Sequence, residues 1–318
     1  MAARPHEDSS RTEHVPHSIQ STGPGQNPGS IEQGNFPFEV TGELLRCKLS
    51  SEERPLLMSL MKQIREFQVP KKSVALWWLG QNGYIFKTPE GTLASVDLYL
   101  TDHCEVLYPD FDLKRRVPVL LAPEEVEVDL YICTHNHADH TDPMTIRGLR
   151  NKDTMQFAGP HPSCDIFAAE GVESGRIVPT WPSREIEFRD IRIRGAFAMP
   201  TDDTDLNHMG FIFRFGNGPT VYVTGDTDYT ELLAEAAKYS PDLLITVING
   251  GFNNLSHYEA AELASKIKPK AAIPCHYDMF PDNAVDPKQF RASLRLKAPD
   301  VRYQELEHGK PFVFSTEF

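Results

Sequence analysis

The run Val128-Asp129-Leu130-Tyr131-Ile132-Cys133 leads, after Thr134, into His135-Asn136-His137-Ala138-Asp139-His140. A short apolar run bounded by charged residues has the pattern of a buried strand. Here it delivers the histidine loop to a sheet edge. Three histidines and one aspartate within six residues put several imidazoles and a carboxylate on one loop with alternating directions. Such a loop can ligate two nearby cations. Zinc, manganese and iron accept nitrogen and oxygen donors together, and an open coordination position draws the pKa of bound water toward neutrality. The bland alternative, a solvated polar loop, does not account for the crowding of the histidines.

Further along the chain the same arrangement recurs. Thr224-Gly225-Asp226-Thr227 follows a strand over 220–224, and His276 in Ile273-Pro274-Cys275-His276-Tyr277 follows another over 271–274. Alone, Asp226 reads equally as a turn residue or helix cap, and His276 as a hydrogen-bonded loop histidine. In series with the histidine loop, both become candidate ligands at strand C-terminal ends. Short strands are expected at 157–158, 177–178, 186–188, 191–197, 211–215 and 243–247, with helical stretches near 163–170, 230–238 and 257–267. No solenoid-period repeat interrupts this alternation.

Upstream, Val74 to Lys87 reads as two strands around Gly80-Gln81-Asn82-Gly83, and Leu93 to Leu98 as a third. From Ser50, apolar residues recur at helical spacing, with Leu57, Leu60, Met61 and Ile64 on one face. This predicts a helical segment within 37–73 that packs on a domain extending to residue 318. Residues 1–36 are rich in Ser, Gly, Pro, Gln and His and poor in large apolar side chains, so a disordered tail is expected. Its His6, His14 and His17 read as solvated tail residues rather than ligands.

Bulk properties narrow the function. The 32 basic and 45 acidic side chains leave a net charge of −13, which disfavours a nucleic-acid partner. The five cysteines, Cys47, Cys104, Cys133, Cys164 and Cys275, are scattered without a CxxC pair. That fits a reducing, cytoplasmic setting. No stretch approaches the roughly 18 consecutive apolar residues of a membrane span.

The histidine run, the Gly-Asp-Thr and the late Ile-Pro-x-His resemble the metallo-β-lactamase superfamily. More narrowly, Ala75-Leu76-Trp77-Trp78-Leu79-Gly80, Ser95-Val96-Asp97, Ile273-Pro274-Cys275-His276-Tyr277-Asp278 and Asp286-Pro287 resemble its L-ascorbate-6-phosphate lactonase-like branch. The resemblance runs from about Val74 to about Phe314. It implies an α/β fold of the αββα sandwich type, two mixed β-sheets flanked by helices with the site where strand-end loops converge.

It further implies a hydrolase holding one or two divalent metal ions, manganese, zinc or iron. His135 and His137 then belong to one metal position, and Asp139, His140 and His276 to the other. Asp226 bridges the two. Asp139 and Asp226 are the expected catalytic residues, and Asp97 supports the cluster by hydrogen bonds that orient the ligand rings. Where the superfamily supplies one more histidine, this chain reads Met199-Pro-Thr-Asp-Asp-Thr-Asp-Leu-Asn-His208. The completing ligand is His208, Asp202 or Asp203, or is absent.

The activity implied is hydrolysis of a small-molecule substrate, most directly the opening of a sugar-acid or sugar-phosphate lactone by metal-activated water. A phosphodiesterase on small or lipid phosphodiesters is the alternative, and a noncatalytic metal-stabilised ligand-sensing module the alternative from another class. Related lactonases form homo-oligomers, so self-association follows from the resemblance. Tyr277, Asp278, His257, Gln81 and Asn82 are candidate pocket residues, as are Met279 and Phe280. For His257, however, the neighbouring Ser256 and Glu259 have the spacing of a helix capping box. Trp77 and Trp78 read as core, and Lys114-Arg115-Arg116, the one compact basic run, as a solvated face or a phosphate contact.

Overall fold

The apolar runs that flank the histidine loop pair into two seven-stranded sheets among the described residues. The computed structural model describes residues 59–203 and 205–317. The expected tail over 1–36, with His6, His14 and His17, lies outside them, as do Cys47 and the start of the segment predicted over 37–73.

The first sheet has the order β14-β1-β2-β3-β4-β5-β6, with β1 Ser73–Trp78, β2 Tyr84–Lys87, β3 Leu93–Val96, β4 Leu130–Ile132, β5 Gln156–Gly159, β6 Ile177–Pro179 and β14 Pro311–Ser315. The second has the order β13-β12-β11-β10-β9-β8-β7, with β7 Glu185–Phe188, β8 Ile191–Phe197, β9 Met209–Phe215, β10 Thr220–Val223, β11 Leu243–Val247, β12 Ala271–Cys275 and β13 Arg302–Tyr303. Both sheets are mixed. Strands β3 to β6 run parallel in one and β10 to β13 in the other, while the remaining neighbours are antiparallel.

Alternation along β1 assigns its residues to two layers. Val74, Leu76 and Trp78 join the core that includes Phe211, Phe213 and Phe215 of β9, while Ala75 and Trp77 face the opposite side with Met61 and Ile64. Trp77 and Trp78 are therefore both core residues, on opposite faces of one sheet. The rings of Phe86 and Phe213 lie 5.5 Å apart and those of Phe86 and Phe215 5.4 Å, so a single aromatic stack ties the sheets together.

Helices cover the outer faces. Helix α1, Leu60–Glu66, is capped by Ser59 and buries Met61 and Ile64. Lys87 Nζ donates to the carbonyls of Ile64 and Phe67 at 2.9 Å, which satisfies the helix C-terminus. Leu57, placed on the same face in sequence, lies outside the described residues. Helices α2 His103–Leu107, α3 Pro143–Gly148 and α4 His161–Ala169 follow, then α5 His257–Ile267 and α6 Lys288–Lys297. Ser256 and Glu259 form the capping box of α5.

Two expectations change. The helix expected near 230–238 is a 3-10 helix, Glu231–Tyr239, started by the Thr230 hydroxyl and ended at Ser240 with φ 48°. Helices α2, α3 and α6 and strands β13 and β14 were not anticipated; α2 and α3 are only five and six residues long. In α6 only Phe290 and Leu294 are buried large apolar residues, too few to register as a periodicity. Strand β14 begins with a proline, which only a sheet edge accepts.

Replacing Phe86 by alanine removes the ring that bridges the sheets. The expected loss is about 3–5 kcal/mol, read as a lower urea midpoint with an unchanged slope.

Candidate metal centre

Strands β4, β10 and β12 all end at one edge of the sandwich, so the loops that follow them meet. Two backbone hydrogen bonds join the sheets there: Met209 N donates to Thr134 O at 3.2 Å, and His276 N to Gln81 O at 3.1 Å. Three non-glycine residues at this junction adopt left-handed backbone, Gln81 (φ 52°), Asp97 (φ 45°) and His276 (φ 59°). Such strain persists only where the surroundings over-determine it. Gly225 has φ 62°, and a Cβ there would stand 2.7 Å from Met209 O and 2.9 Å from Thr134 Cβ. Only glycine can precede Asp226 at that position.

Asp97, fully buried at the end of β3, organises the histidine loop. Its Oδ1 accepts from Thr134 N at 2.7 Å, and its Oδ2 accepts from Thr134 Oγ1 at 2.6 Å and from Asn82 Nδ2 at 2.6 Å. The same Oδ2 lies 2.8 Å from His140 Nδ1. Held by that nitrogen, His140 turns its Nε2 toward Asp226 Oδ1 at 3.2 Å, Asp139 Oδ2 at 3.5 Å and His276 Nε2 at 3.3 Å. His276 Nε2 in turn lies 3.2 Å from Asp139 Oδ2 and 3.3 Å from Asp226 Oδ2.

Beside this group, the rings of His135 and His208 are 4.0 Å apart and those of His135 and His137 4.5 Å. Three sets have donor atoms within 4.8 Å of one another: His135, His137 and His208; His135, His140 and Asp226; and Asp139, His140 and His276. In the loop left open by sequence, His208 thus joins His135 and His137. Asp202 faces His137 Nε2 at 3.2 Å from a half-exposed position, and Asp203 belongs to none of the three sets.

Two features show that these donors fit a divalent cation. His135 Nε2 and His208 Nε2 are buried and have no hydrogen-bond partner among the described residues, a costly state for polar atoms. The electrostatics also suit ligation. Burial, with His140 and other imidazoles nearby, holds His135 well below the usual histidine range, and burial likewise lowers His208. Both are therefore neutral with a lone pair available. Burial opposes charge on Asp139 and Asp226, but His140 and His276 outweigh it and keep both carboxylates ionised. For His140 burial is likewise outweighed, here by Asp226, Asp139 and Asp97, which raise it well above its ordinary value. The neutral His135 and His208 imidazoles beside ionised carboxylates are donors that zinc, manganese and iron share.

Two amides fix the carboxylates. Gln81 Nε2 donates to Asp139 Oδ2 at 2.6 Å, and Asn254 Nδ2 to Asp226 Oδ2 at 2.7 Å. Neither Asn254 nor Asn283, whose Nδ2 is 3.2 Å from His276 Nδ1, carries a sequence signal; Asn254 lies on a loop and Asn283 ends a 3-10 turn over Pro281–Asn283, and only folding brings them here. A cleft of about 290 Å³ opens onto His137, Asp139, Asp226 and His276.

Of the seven residues expected as pocket lining, six, Met279 among them, are not in the lining of this cleft. Gln81 supports Asp139 from the side of the β1–β2 turn, and Asn82 is spent on Asp97. Tyr277 packs on Trp78 with centroids 5.1 Å apart, and Asp278 pairs with His308 at 3.1 Å. His257 bonds Ser293 Oγ at 2.8 Å within the helix layer. The lining comes instead from Phe280, as expected, together with Tyr108, Phe111, Leu113 and Phe252.

The comparisons with known proteins bear on the family and the fold. A family model described as the beta-lactamase superfamily domain matches residues 75–276. A probable L-ascorbate-6-phosphate lactonase of Salmonella heidelberg is 23% identical over 303 residues, covering 80% of this chain and 82% of the relative. Among solved structures, the metallo hydrolase Igni18 of Ignicoccus hospitalis has a TM-score of 0.61 at 19% identity, over 76% of this chain and 99% of its own. An isothiocyanate hydrolase from Delia radicum gut bacteria has a TM-score of 0.61 at 15% identity, over 76% and 99%. At these identities the structures bear on the fold alone.

Exchanging Asp97 for Asn leaves the shape and removes the charge that orients His140 and Thr134. Affinity for zinc or manganese is expected to fall about 10–100-fold, measured by competition with a chromophoric chelator, while far-ultraviolet circular dichroism stays unchanged.

Proposed function

Because the chain belongs to the metallo-β-lactamase superfamily of hydrolases, we propose that it is a metal-dependent lactonase acting on a small molecule. The observation that carries the metal-dependent part is the pair of buried, unpartnered nitrogens, His135 Nε2 and His208 Nε2, beside two ionised carboxylates. The lactone part is supported by the curated relatives, which are probable L-ascorbate-6-phosphate lactonases and match over 80% of this chain.

In this reading His135, His137 and His208 would hold one ion, Asp139, His140 and His276 would hold a second, and Asp226 would serve both. Divalent cations bound there would supply Lewis acidity toward a carbonyl oxygen and toward water. The chain's own groups do the rest. Asp139, ionised and facing the cleft, orients the attacking water through its carboxylate and takes its proton, with Gln81 holding the carboxylate in place. Asn254 does the same positioning for Asp226. Water adds to the carbonyl carbon, the ring C–O bond breaks, and the leaving oxygen takes a proton to give a hydroxy acid, which ionises at neutral pH. No side-chain nucleophile is needed. The cysteine that lines the cleft, Cys104, has its thiol pushed far up by burial and by the Asp139 charge. The four described cysteines are buried and unpaired, which supports a reducing, cytoplasmic setting.

Proton release at constant pH on a panel of lactones, with L-ascorbate 6-phosphate and a chromogenic phosphodiester included, tests the reading. Acid release from at least one lactone is expected, lost on chelation, restored by manganese or zinc, and absent in His137→Ala. Turnover of the phosphodiester alone would keep the hydrolase and overturn the lactone.

A further inference from the structure

The walls of the cleft differ in chemistry from its floor. The floor carries the imidazoles and carboxylates of the metal centre, whereas the walls are mainly Tyr108, Phe111, Leu113, Phe252 and Phe280, with the polar Thr201, Asp202 and Asn283 among them. Several of these side chains stay open to solvent: Phe111 is 50% exposed and Phe252 47%. Val106 and Leu107, which end α2 just before Tyr108 in sequence, are 78% and 47% exposed. The rings of Phe111 and Phe252, from loops far apart in sequence, meet edge to face with centroids 5.6 Å apart. Exposed aromatics clustered at the mouth of a polar site mark a binding surface rather than scattered surface apolarity.

Charge points the same way. No lysine or arginine is among the described residues that line the cleft, and the ionisable group on its rim is the Asp202 carboxylate. The neighbouring basic run does not reach in. Arg115 donates Nε to Val117 O at 2.7 Å and Nη1 to Tyr99 O at 2.8 Å, its Nη2 is buried without a partner among the described residues, and none of Lys114, Arg115 and Arg116 lines the cleft. The polar wall residue Asn283 is committed as well, accepting from Asn249 Nδ2 at 2.6 Å. A phosphate on the substrate would face aromatic rings and a carboxylate with none of the charge-assisted donors that phosphates need.

We infer that the substrate carries an uncharged apolar group, alkyl or aryl, beside the bond that is hydrolysed, and that this group is seated against the joined rings of Phe111 and Phe252. The inference rests on the hydrolase reading for the reacting bond and departs from the phosphorylated sugar acid named for the curated relatives.

The test separates binding from turnover. Hydroxamic acids, whose head group chelates a divalent cation, are prepared with benzyl, butyl and phosphonomethyl tails, and their dissociation constants for the zinc-loaded full chain are measured by calorimetry. The apolar tails are expected to bind at least about 10-fold tighter than the phosphonate, within the 10–200-fold span one apolar increment can give. Phe111→Ala should narrow that ratio, and Phe252→Lys should shift it toward the phosphonate. A ratio that is flat or inverted in the unsubstituted chain overturns the inference. Lactones bearing the same tails are assayed in parallel. If none is opened while the hydroxamate ranking holds, the lactone reading fails and the apolar specificity stands. If the phosphorylated lactone is the best substrate, the lactone reading stands and the inference fails.

Discussion

A single buried carboxylate organises the functional edge of this protein. Asp97 is fully buried, and four donors from two loops meet it: Asn82 Nδ2, Thr134 N, Thr134 Oγ1 and His140 Nδ1. A buried charge without partners is too costly to keep, so the turn after β1, the loop after β4 and the end of β3 must arrive together. Their arrival sets the direction of the His140 ring. Through His140 it also sets where Asp139, Asp226 and His276 lie relative to one another.

The backbone shares that burden. Gln81, Asp97 and His276 all take left-handed conformations, and Gly225 admits no side chain. Concentrating strain at one edge is affordable because the rest of the sandwich is well packed, with Phe86 set against Phe213 and Phe215 across the two sheets. Amide side chains complete the arrangement: Gln81 and Asn254 each hold one carboxylate. The result is a rigid polar floor under a cleft whose walls are largely apolar. Rigid chemistry with a variable wall is the division of labour by which one fold serves many substrates.

Much of the fold was legible because its signals are local. Short β-rich runs separated by turn residues marked most of the strands, and the Ser256–Glu259 spacing marked the start of α5. The elements missed, α2, α3, α6, β13 and β14, are helices of five and six residues, a helix with two buried large apolar residues, a strand of two residues in all and a strand with a proline at the first position. None of these creates a period that a window can detect. At the site, the histidine loop, Asp226 and His276 were visible because each follows an apolar strand directly. The pocket was misread for the same reason. Tyr277 and Asp278 adjoin a candidate ligand in sequence, yet beyond His276, with its φ of 59°, they pack against Trp78 and His308 instead of the cleft.

The sequence by itself determined the kind of chemistry available, since the order and spacing of His135, His137, Asp139, His140, Asp226 and His276 put nitrogen and oxygen donors at the ends of buried strands. It also determined the two-layer use of β1, through the alternation of Trp77 and Trp78. Only the tertiary structure decided that His208, rather than Asp202 or Asp203, joins His135 and His137. Only it decided that Phe111 and Phe252 meet above the carboxylates. Both are contacts between loops separated by many residues, and no local propensity encodes such a contact. It follows from how two sheets converge on a shared edge.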